Sequence, residues 1–208
     1  MIQTEESIVE KALKNFTIVK NSDSEKFKQI DEWLLKESRL YMKEIKNNNA
    51  PAQYYSYKRG TILKVDFGVN PGSELCYTHF AIVLDKDNKA SSDSITVVPL
   101  TSKEGQGKIL LDTLILDELI KKLSNKVRVA NSEADVQKIK ALINSYKKYT
   151  NFSYAYVSQI TTISKSRIII PSNKYDIIGK SRCSKEILNK IDNEIIKLYT
   201  NLNDVDKV

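Results

Sequence analysis

The residue best suited to acid–base chemistry is His79, the only histidine in the chain. An imidazole has an ordinary pKa of about 6.5, so it can exchange protons near neutral pH and can also contact a phosphate. His79 begins the short apolar run 79–84, which predicts a buried strand. The alternative interpretation is therefore a buried structural histidine that is hydrogen-bonded to a neighbour.

The other soft metal ligands are two cysteines, Cys76 and Cys183, which are far apart and fit no zinc or redox spacing. We interpret them as free thiols in a reducing compartment, and we expect neither a metal site nor a cofactor. No apolar run approaches the roughly 18 residues needed to span a bilayer, and the N-terminus lacks the apolar region of a signal peptide. The sequence therefore predicts a cytoplasmic protein that does not enter the membrane.

The basic charge of the chain is unevenly distributed. Residues 1–50 hold nine basic and nine acidic residues, so the whole net charge of +7 lies in residues 51–208. A basic body favours polyanionic partners through phosphate neutralisation, although a solvated lysine-rich surface is an equally ordinary explanation. Three tyrosines, Tyr54, Tyr55 and Tyr57, lie next to the cations Lys58 and Arg59 in the sequence. Such a pattern either stacks nucleobases or packs a linker onto the body.

The periodicity of the sequence divides the chain in two. A capping-box pattern at Ser22–Glu25 and apolar residues at helical spacing over 27–45 predict helices in residues 1–50, which end at a linker of Asn and Pro. Short strands are predicted over 61–67, 79–84, 95–100, 108–116, 152–163 and 167–170, with helices near 117–123 and 132–146 and a final helix from Ser184. We expect an α+β fold, a small, strongly curved sheet or barrel with packed helices.

Four stretches, taken in order, resemble the MazF/PemK toxin family. RGTILKVDFG (59–68) is similar to the family's opening strand, and GSE (72–74) to the loop that leads into its next apolar strand. VVPLTS (97–102) is similar to a strand end of the family, and QITTISKSR (159–167) to its Q-I-R-T-I-x-K-x-R pattern. The resemblance covers residues 57–200 and leaves an insertion at about 104–150.

This resemblance implies a fold, an activity and partners. The fold is an SH3-like β-barrel shared by MazF and CcdB toxins, with packed helices, and here it would span residues 51–208 behind a helical extension, 1–50. The activity is that of a type II toxin–antitoxin endoribonuclease, which cleaves single-stranded RNA without a metal by attack of the ribose 2′-OH on the phosphate. The implied partners are single-stranded RNA, a cognate antitoxin protein and a second copy in a homodimer.

The reaction needs a base, an acid and donors that stabilise the charged phosphorane. By position in the family, Thr101 and Ser102 would contact the scissile phosphate, although Ser and Thr also cap turns. Glu74 would orient the imidazole of His79 or act as the base, with Ser73 beside it in the loop, unless both are merely solvated loop residues. We therefore predict His79, Thr101 and Glu74 as catalytic and Ser73 and Ser102 as RNA-binding.

Further RNA-binding candidates follow from the same resemblance. They are Lys58, Arg59, Gln159, Lys165 and Arg167. The alternatives are an exposed strand start for Lys58 and Arg59 and a structural hydrogen-bonding role for Gln159.

The sequence departs from the family at four positions. The family usually has an arginine followed by a proline where this chain has His79 and Phe80, and an arginine where it has Thr161. Some relatives carry an acidic residue in place of Ser158. A histidine can take over the acid–base work of the first arginine, but these departures also favour a catalytically silent relative.

Two alternatives therefore stay open. The first is a non-catalytic toxin of the CcdB kind, which acts by binding a protein. The second concerns residues 1–50 alone, which would either cover the RNA groove as an antitoxin segment does or merely enlarge a dimer.

Overall fold

The computed structural model describes residues 7–47, 53–111, 114–147, 154–171 and 173–202. The linker predicted at 47–51 lies almost wholly outside these residues. The chain forms two compact units: residues 1–52 with 67–77, and residues 53–66 with 78–208. The loop 67–77, which the sequence assigns to the barrel domain, thus groups with the N-terminal segment.

The first unit contains two helices, α1 (Ile8–Lys20) and α2 (Ile30–Asn47). The capping box lies at the start of α1, where the Ser7 hydroxyl accepts from the Glu10 N–H at 3.2 Å and the Glu10 carboxylate accepts from the Ser7 N–H at 2.8 Å. The box predicted at Ser22–Glu25 was wrong, because the Ser22 hydroxyl donates back to the Val19 carbonyl at 2.7 Å. Ser24 precedes only a short 3₁₀ turn and makes no side-chain cap there.

The second unit is built on an antiparallel sheet. Its strands are β1 (Ile62–Asp66), β2 (Thr78–Val83), β3 (Ser94–Thr101), β4 (Lys108–Leu110), β5 (Tyr154–Tyr156) and β6 (Thr161–Ser164). They are ordered β1-β2-β3-β5-β4, and β6 also pairs with β3. The strand β3 is therefore shared: its end pairs with β5 and its beginning with β6.

Both faces of the central strands are buried, which explains their near-continuous apolar sequences. One face carries Phe80, Ile82 and Val98 into a core completed by α3 (Leu114–Arg128), α4 (Glu133–Lys147) and α5 (Lys185–Tyr199). We call this the helix face. The other face, which we call the open-row face, carries aliphatic residues that are fully buried: Leu63, Val65, Ala81, Val83 and Val97.

The α+β class is confirmed, but closure of the sheet into an SH3-like barrel is not shown. The paired strands form a path whose ends do not pair with one another. Two isolated bridges, Val65 with Ile168 and Thr61 with Arg182, attach later parts of the chain to β1.

Three predicted strands differ from the structure. The run 108–116 is a strand only to Leu110, and a helix begins at Leu114. The run 152–163 is divided by a 3₁₀ turn over Val157–Gln159. Before this turn the chain pairs with the end of β3, and after it the chain pairs with the first half of β3. The run 167–170 forms no strand, and a 3₁₀ turn occupies Lys165–Arg167.

Candidate active site

His79 is the second residue of β2 and is half-buried. Its Nδ1 lies 2.9 Å from the carbonyl oxygen of Leu100 on the neighbouring strand. Because a carbonyl can only accept, Nδ1 carries a proton, and in the neutral ring the lone pair is on Nε2. The hydrogen-bonded histidine of the alternative interpretation is thus present, and the same bond fixes the tautomer that a general base requires.

The sheet register brings His79 and Thr101 together. Ala81 pairs with Pro99 between β2 and β3, and the same register continued by two residues toward this edge sets His79 opposite Thr101 on one face. The 2.9 Å contact between His79 and the carbonyl of Leu100, next to Thr101, agrees with this continuation. Thr101 in turn pairs with Tyr154 of β5. A row of three side chains with polar groups, His79, Thr101 and Tyr154, therefore crosses β2, β3 and β5 on the open-row face.

Thr101 ends β3 and is 7% exposed. Its hydroxyl oxygen accepts from the backbone N–H of Lys103 at 3.3 Å, so the turn-capping role foreseen as an alternative is present. A hydroxyl that accepts this bond still has its own proton to donate. Ser102 follows at the start of the turn and is exposed.

An aromatic and cationic cluster beside this row was missed by sequence reasoning. Tyr154 and Tyr156 alternate on β5 and share the face of Thr101, and Tyr156 pairs with Lys108 of β4. The Lys108 ammonium lies 4.3 Å from the centre of the Tyr156 ring. The signal that was available is the sequence Tyr-Ala-Tyr at 154–156, which places two tyrosines on one side of a strand.

Two predicted RNA contacts, Lys58 and Arg59, lie at the other end of β2. Arg59 precedes β1, and its guanidinium donates to the carbonyl of Leu84, just past the end of β2, and to the carboxylate of Asp192 on α5. His79 is at the beginning of the same strand, so the structure does not bring Arg59 to it. Lys58 is exposed beside Arg59.

Lys165 and Arg167 are also separated from Thr101. Ser164 pairs with Ser94 at the beginning of β3, and Thr101 ends that strand roughly 20 Å away. Lys165 is 5% exposed, its ammonium donates to the Lys89 carbonyl at 2.8 Å, and burial lowers the pKa of this amine. Arg167 is half-buried.

Gln159 lies in the turn between β5 and β6. Ala155 pairs with Leu100, and Thr161 pairs with Val97. The turn between them, which carries the half-buried Gln159, therefore lies beside the second half of β3. Of the more distant candidates, it is therefore the one nearest the His79–Thr101 end of the sheet.

Ser73 and Glu74 belong to the loop 67–77 of the first unit, and both side chains are exposed. The Glu74 N–H donates to the Pro71 carbonyl at 3.3 Å, as in a tight turn. The loop ends at Tyr77, two residues before His79 in the chain.

The tyrosines near residue 55 hold residues 53–57 against other parts of the second unit. The Tyr54 N–H donates to the Ala90 carbonyl at 2.9 Å, and burial raises the pKa of Tyr57. Tyr55 and Tyr57 stack at an angle with ring centres 6.3 Å apart. The packing alternative accounts for these contacts.

Within the described ranges, no three His, Cys, Asp or Glu side chains are grouped closely enough to hold a metal ion. Both cysteines are free thiols, and burial raises the pKa of Cys183 to about 11, which makes it a poor nucleophile at neutral pH. In the same ranges, no helix combines the length and the apolar character that a membrane crossing requires.

Comparisons with known proteins give the family. The model of the PemK-like, MazF-like toxins of type II toxin–antitoxin systems matches residues 58–199, well over half of the chain. Among solved structures, the chain is similar to a crystal structure of MazF (Form-I) from Deinococcus radiodurans, with 12% identity, a TM-score of 0.40, and coverage of 69% of this chain and 96% of that one. None of the curated proteins is significantly similar in sequence. The chain therefore belongs to the PemK-like, MazF-like family of toxins from type II toxin–antitoxin systems.

Proposed function

We propose that this toxin is an endoribonuclease that cleaves single-stranded RNA by attack of a ribose 2′-OH on the adjacent phosphate. The observation that supports the proposal best is the row of His79, Thr101 and Tyr154 at one end of the open-row face. It combines a group that transfers protons, a hydroxyl and an aromatic ring at the strand end where the family places its phosphate contacts.

The imidazole of His79 would act as the general base. With the Nδ1 proton held by the Leu100 carbonyl, the Nε2 lone pair takes the proton of the 2′-OH. The bond from O2′ to phosphorus forms and the bond from phosphorus to O5′ breaks, which leaves a 2′,3′-cyclic phosphate. The leaving O5′ takes a proton from water. Glu74 stays the candidate that orients the imidazole or acts as the base in its place.

Donors at the end of β3 would stabilise the phosphorane. The proton of the Thr101 hydroxyl and the hydroxyl of exposed Ser102 are the candidates, and the exposed Lys103 adds positive charge at the same turn. No metal ion enters this scheme, because protein cations and hydroxyls supply the stabilisation.

The neighbouring aromatic and cationic cluster would bind the RNA strand. Tyr154 and Tyr156 offer stacking surfaces, Lys108 neutralises a phosphate, and Gln159 lies beside the same part of β3. Ser73 would contribute from the loop 67–77. The remaining predicted RNA contacts would reach only phosphates several nucleotides away: Lys58, Arg59, Lys165 and Arg167. Of these, Arg59 would first have to release the Asp192 carboxylate.

Family membership also supports the partners that we propose. A type II toxin is held inactive by a cognate antitoxin protein, and a basic surface suits both RNA and an acidic antitoxin segment. A homodimer in the cytoplasm is the arrangement typical of the family.

The alternative function is that of a non-catalytic toxin that binds a protein. It is favoured by one observation: the Thr101 hydroxyl and the His79 imidazole both make structural hydrogen bonds, so each has a role without RNA.

The test is cleavage of a long single-stranded RNA in EDTA by the wild type, His79→Ala and Thr101→Ala. Thr96→Ala is the matched control, since Thr96 lies on the same strand toward its other end and contacts Thr162 at 3.1 Å. We expect fragments ending in cyclic phosphate, a loss of about 10²- to 10⁴-fold for His79→Ala, a smaller loss for Thr101→Ala and full activity for Thr96→Ala. Absence of cleavage by folded wild type would favour the binding toxin.

A further inference from the structure

Tyr77 has an unusual backbone. Its φ of 69° makes it the one residue other than glycine in the left-handed region among the residues that the structure describes. A bulky side chain adopts this conformation only where its surroundings enforce it, and such strain is common at functional positions. The contacts of Tyr77 therefore identify what enforces it.

The backbone of Tyr77 closes the neck of the loop 67–77. Its N–H donates to the Gly68 carbonyl at 2.6 Å, and its carbonyl accepts from the Phe67 N–H at 2.9 Å. Inside the loop, the Asn70 amide group donates to the carbonyls of Phe67 and Leu75 at 2.9 and 2.7 Å. The loop is thus a compact structure of its own.

The side chain of Tyr77 joins this loop to the N-terminal segment. Its hydroxyl lies 2.6 Å from the Lys26 carbonyl and 3.1 Å from the Glu25 carbonyl, so its single proton is shared between them. Both carbonyls belong to the 3₁₀ turn that precedes α2.

Two further contacts tie other parts of the loop to the same segment. At the tip, the Lys26 ammonium donates to the Gly72 carbonyl at 2.6 Å. At the neck, the Trp33 ring of α2 lies so close to Gly68 that an added Cβ would overlap it, and Gly68 also has a positive φ of 84°. Only glycine satisfies both conditions.

We infer that the helical segment 7–47 is a brace that positions the loop 67–77 for RNA binding, with Tyr77 and Lys26 as positioning residues. This inference rests on the proposed function. The brace bonds are made to backbone carbonyls, and they leave the side chains of Ser73 and Glu74 exposed. A brace that inhibited the toxin through this loop would instead occupy those side chains.

The test uses the full chain with Tyr77→Phe and, separately, Lys26→Met. Tyr41→Phe is the matched control, because its hydroxyl donates to the Glu37 carboxylate one turn earlier on the same helix, α2, at 2.7 Å. Hydrogen–deuterium exchange of residues 67–77, measured without RNA, should accelerate about 2- to 10-fold in both variants, as expected for loss of one hydrogen bond, and stay unchanged in the control. On cleavage of RNA, KM should rise by a similar factor while kcat stays constant.

The two measurements separate the inference from the proposed function. Unchanged exchange in both variants would overturn the brace, whatever the RNA result. Faster exchange with faster cleavage would overturn positioning and identify the segment as an inhibitor. If the wild type cleaves no RNA, the proposed function fails, and faster exchange would still support the brace as a device for another ligand of the loop.

Discussion

The two units of the chain are stabilised in different ways. In the second unit, residues from the sheet and from α3, α4 and α5 form one continuous core in which Leu100, Leu123 and Ile191 have no exposed surface. In the helices of the first unit, Ile30 is the one buried residue that the structure describes, and large apolar side chains such as Ile8 and Ile45 are 84% and 65% exposed. Burial of apolar surface dominates in one unit, while backbone and side-chain hydrogen bonds are prominent in the other.

This difference suggests how each unit serves function. In the proposed cleavage, the row of His79, Thr101 and Tyr154 would have to keep its geometry through the reaction, and a well-packed sheet supplies that rigidity. Under the proposed function, the loop 67–77 would admit and release a strand of RNA, which suits an element held by a few hydrogen bonds of low local stability.

The largest expected effect tests the core of the second unit. Leu123→Ala removes a fully buried side chain of α3 and should lower the free energy of unfolding by about 2–5 kcal/mol. The matched control is Leu35→Ala in α2, where the side chain is 52% exposed, and its effect should stay within about 0.5 kcal/mol. Urea unfolding followed by circular dichroism measures both. Equal losses of unfolding free energy in the two variants would mean that α2 is covered in solution, and they would contradict the difference between the two units.

A smaller effect is expected from a buried polar contact of the same core. Tyr146 is 3% exposed, its hydroxyl donates to Asp176, and its ring meets Phe80 edge-on at 5.9 Å. Tyr146→Phe keeps the ring but leaves the buried carboxylate with one donor fewer, which should cost about 1–3 kcal/mol in urea unfolding. Tyr41→Phe, which removes an exposed hydroxyl of α2, should cost less.

The pH dependence of this contact has a definite sign. Burial is the main cause that raises the pKa of Tyr146 far above its ordinary value of about 10. The stability that this shift contributes is fully present below about pH 10 and is lost as the pH rises toward the folded-state pKa. Wild type should therefore lose more stability than Tyr146→Phe above about pH 10, and parallel losses would show that the Tyr146 hydroxyl titrates alike in the folded and the unfolded chain.

Several parts of the fold could be predicted from the sequence because the signal was local. The alternation in residues 61–67 and the apolar runs at 79–84 and 95–100 predicted β1, β2 and β3, and the helical spacing after Ser184 predicted α5. The run 108–116 was misassigned because a short apolar segment has the same composition in a strand and in a helix.

The candidate site could be predicted only in part, for a physical reason. The resemblance to the family pointed to His79 and Thr101, but their adjacency depends on the register between β2 and β3, which no local pattern reveals. Tyr154 joins them across more than fifty residues of sequence. The attachment of Gly68 and Tyr77 to the N-terminal segment is likewise a contact between distant parts of the chain.

The smallest expected effect tests the first unit by pH. The Lys20 ammonium bonds the Asp31 carboxylate between the end of α1 and the start of α2, and this bond is the main cause that lowers the pKa of Asp31. A lowered pKa contributes stability above the unfolded value of about 3.9, and the contribution is lost as the pH falls through the folded value. Both side chains are well exposed, so screening keeps the effect small. Hydrogen–deuterium exchange of α1 and α2, expressed relative to the intrinsic exchange rate at each pH, should rise slightly between pH 5 and pH 3 in the wild type and should not show this rise in Asp31→Asn, with α4 unchanged in both. A larger rise in α4 than in α1 would mean that the core, and not the helix pair, is the weaker unit in acid.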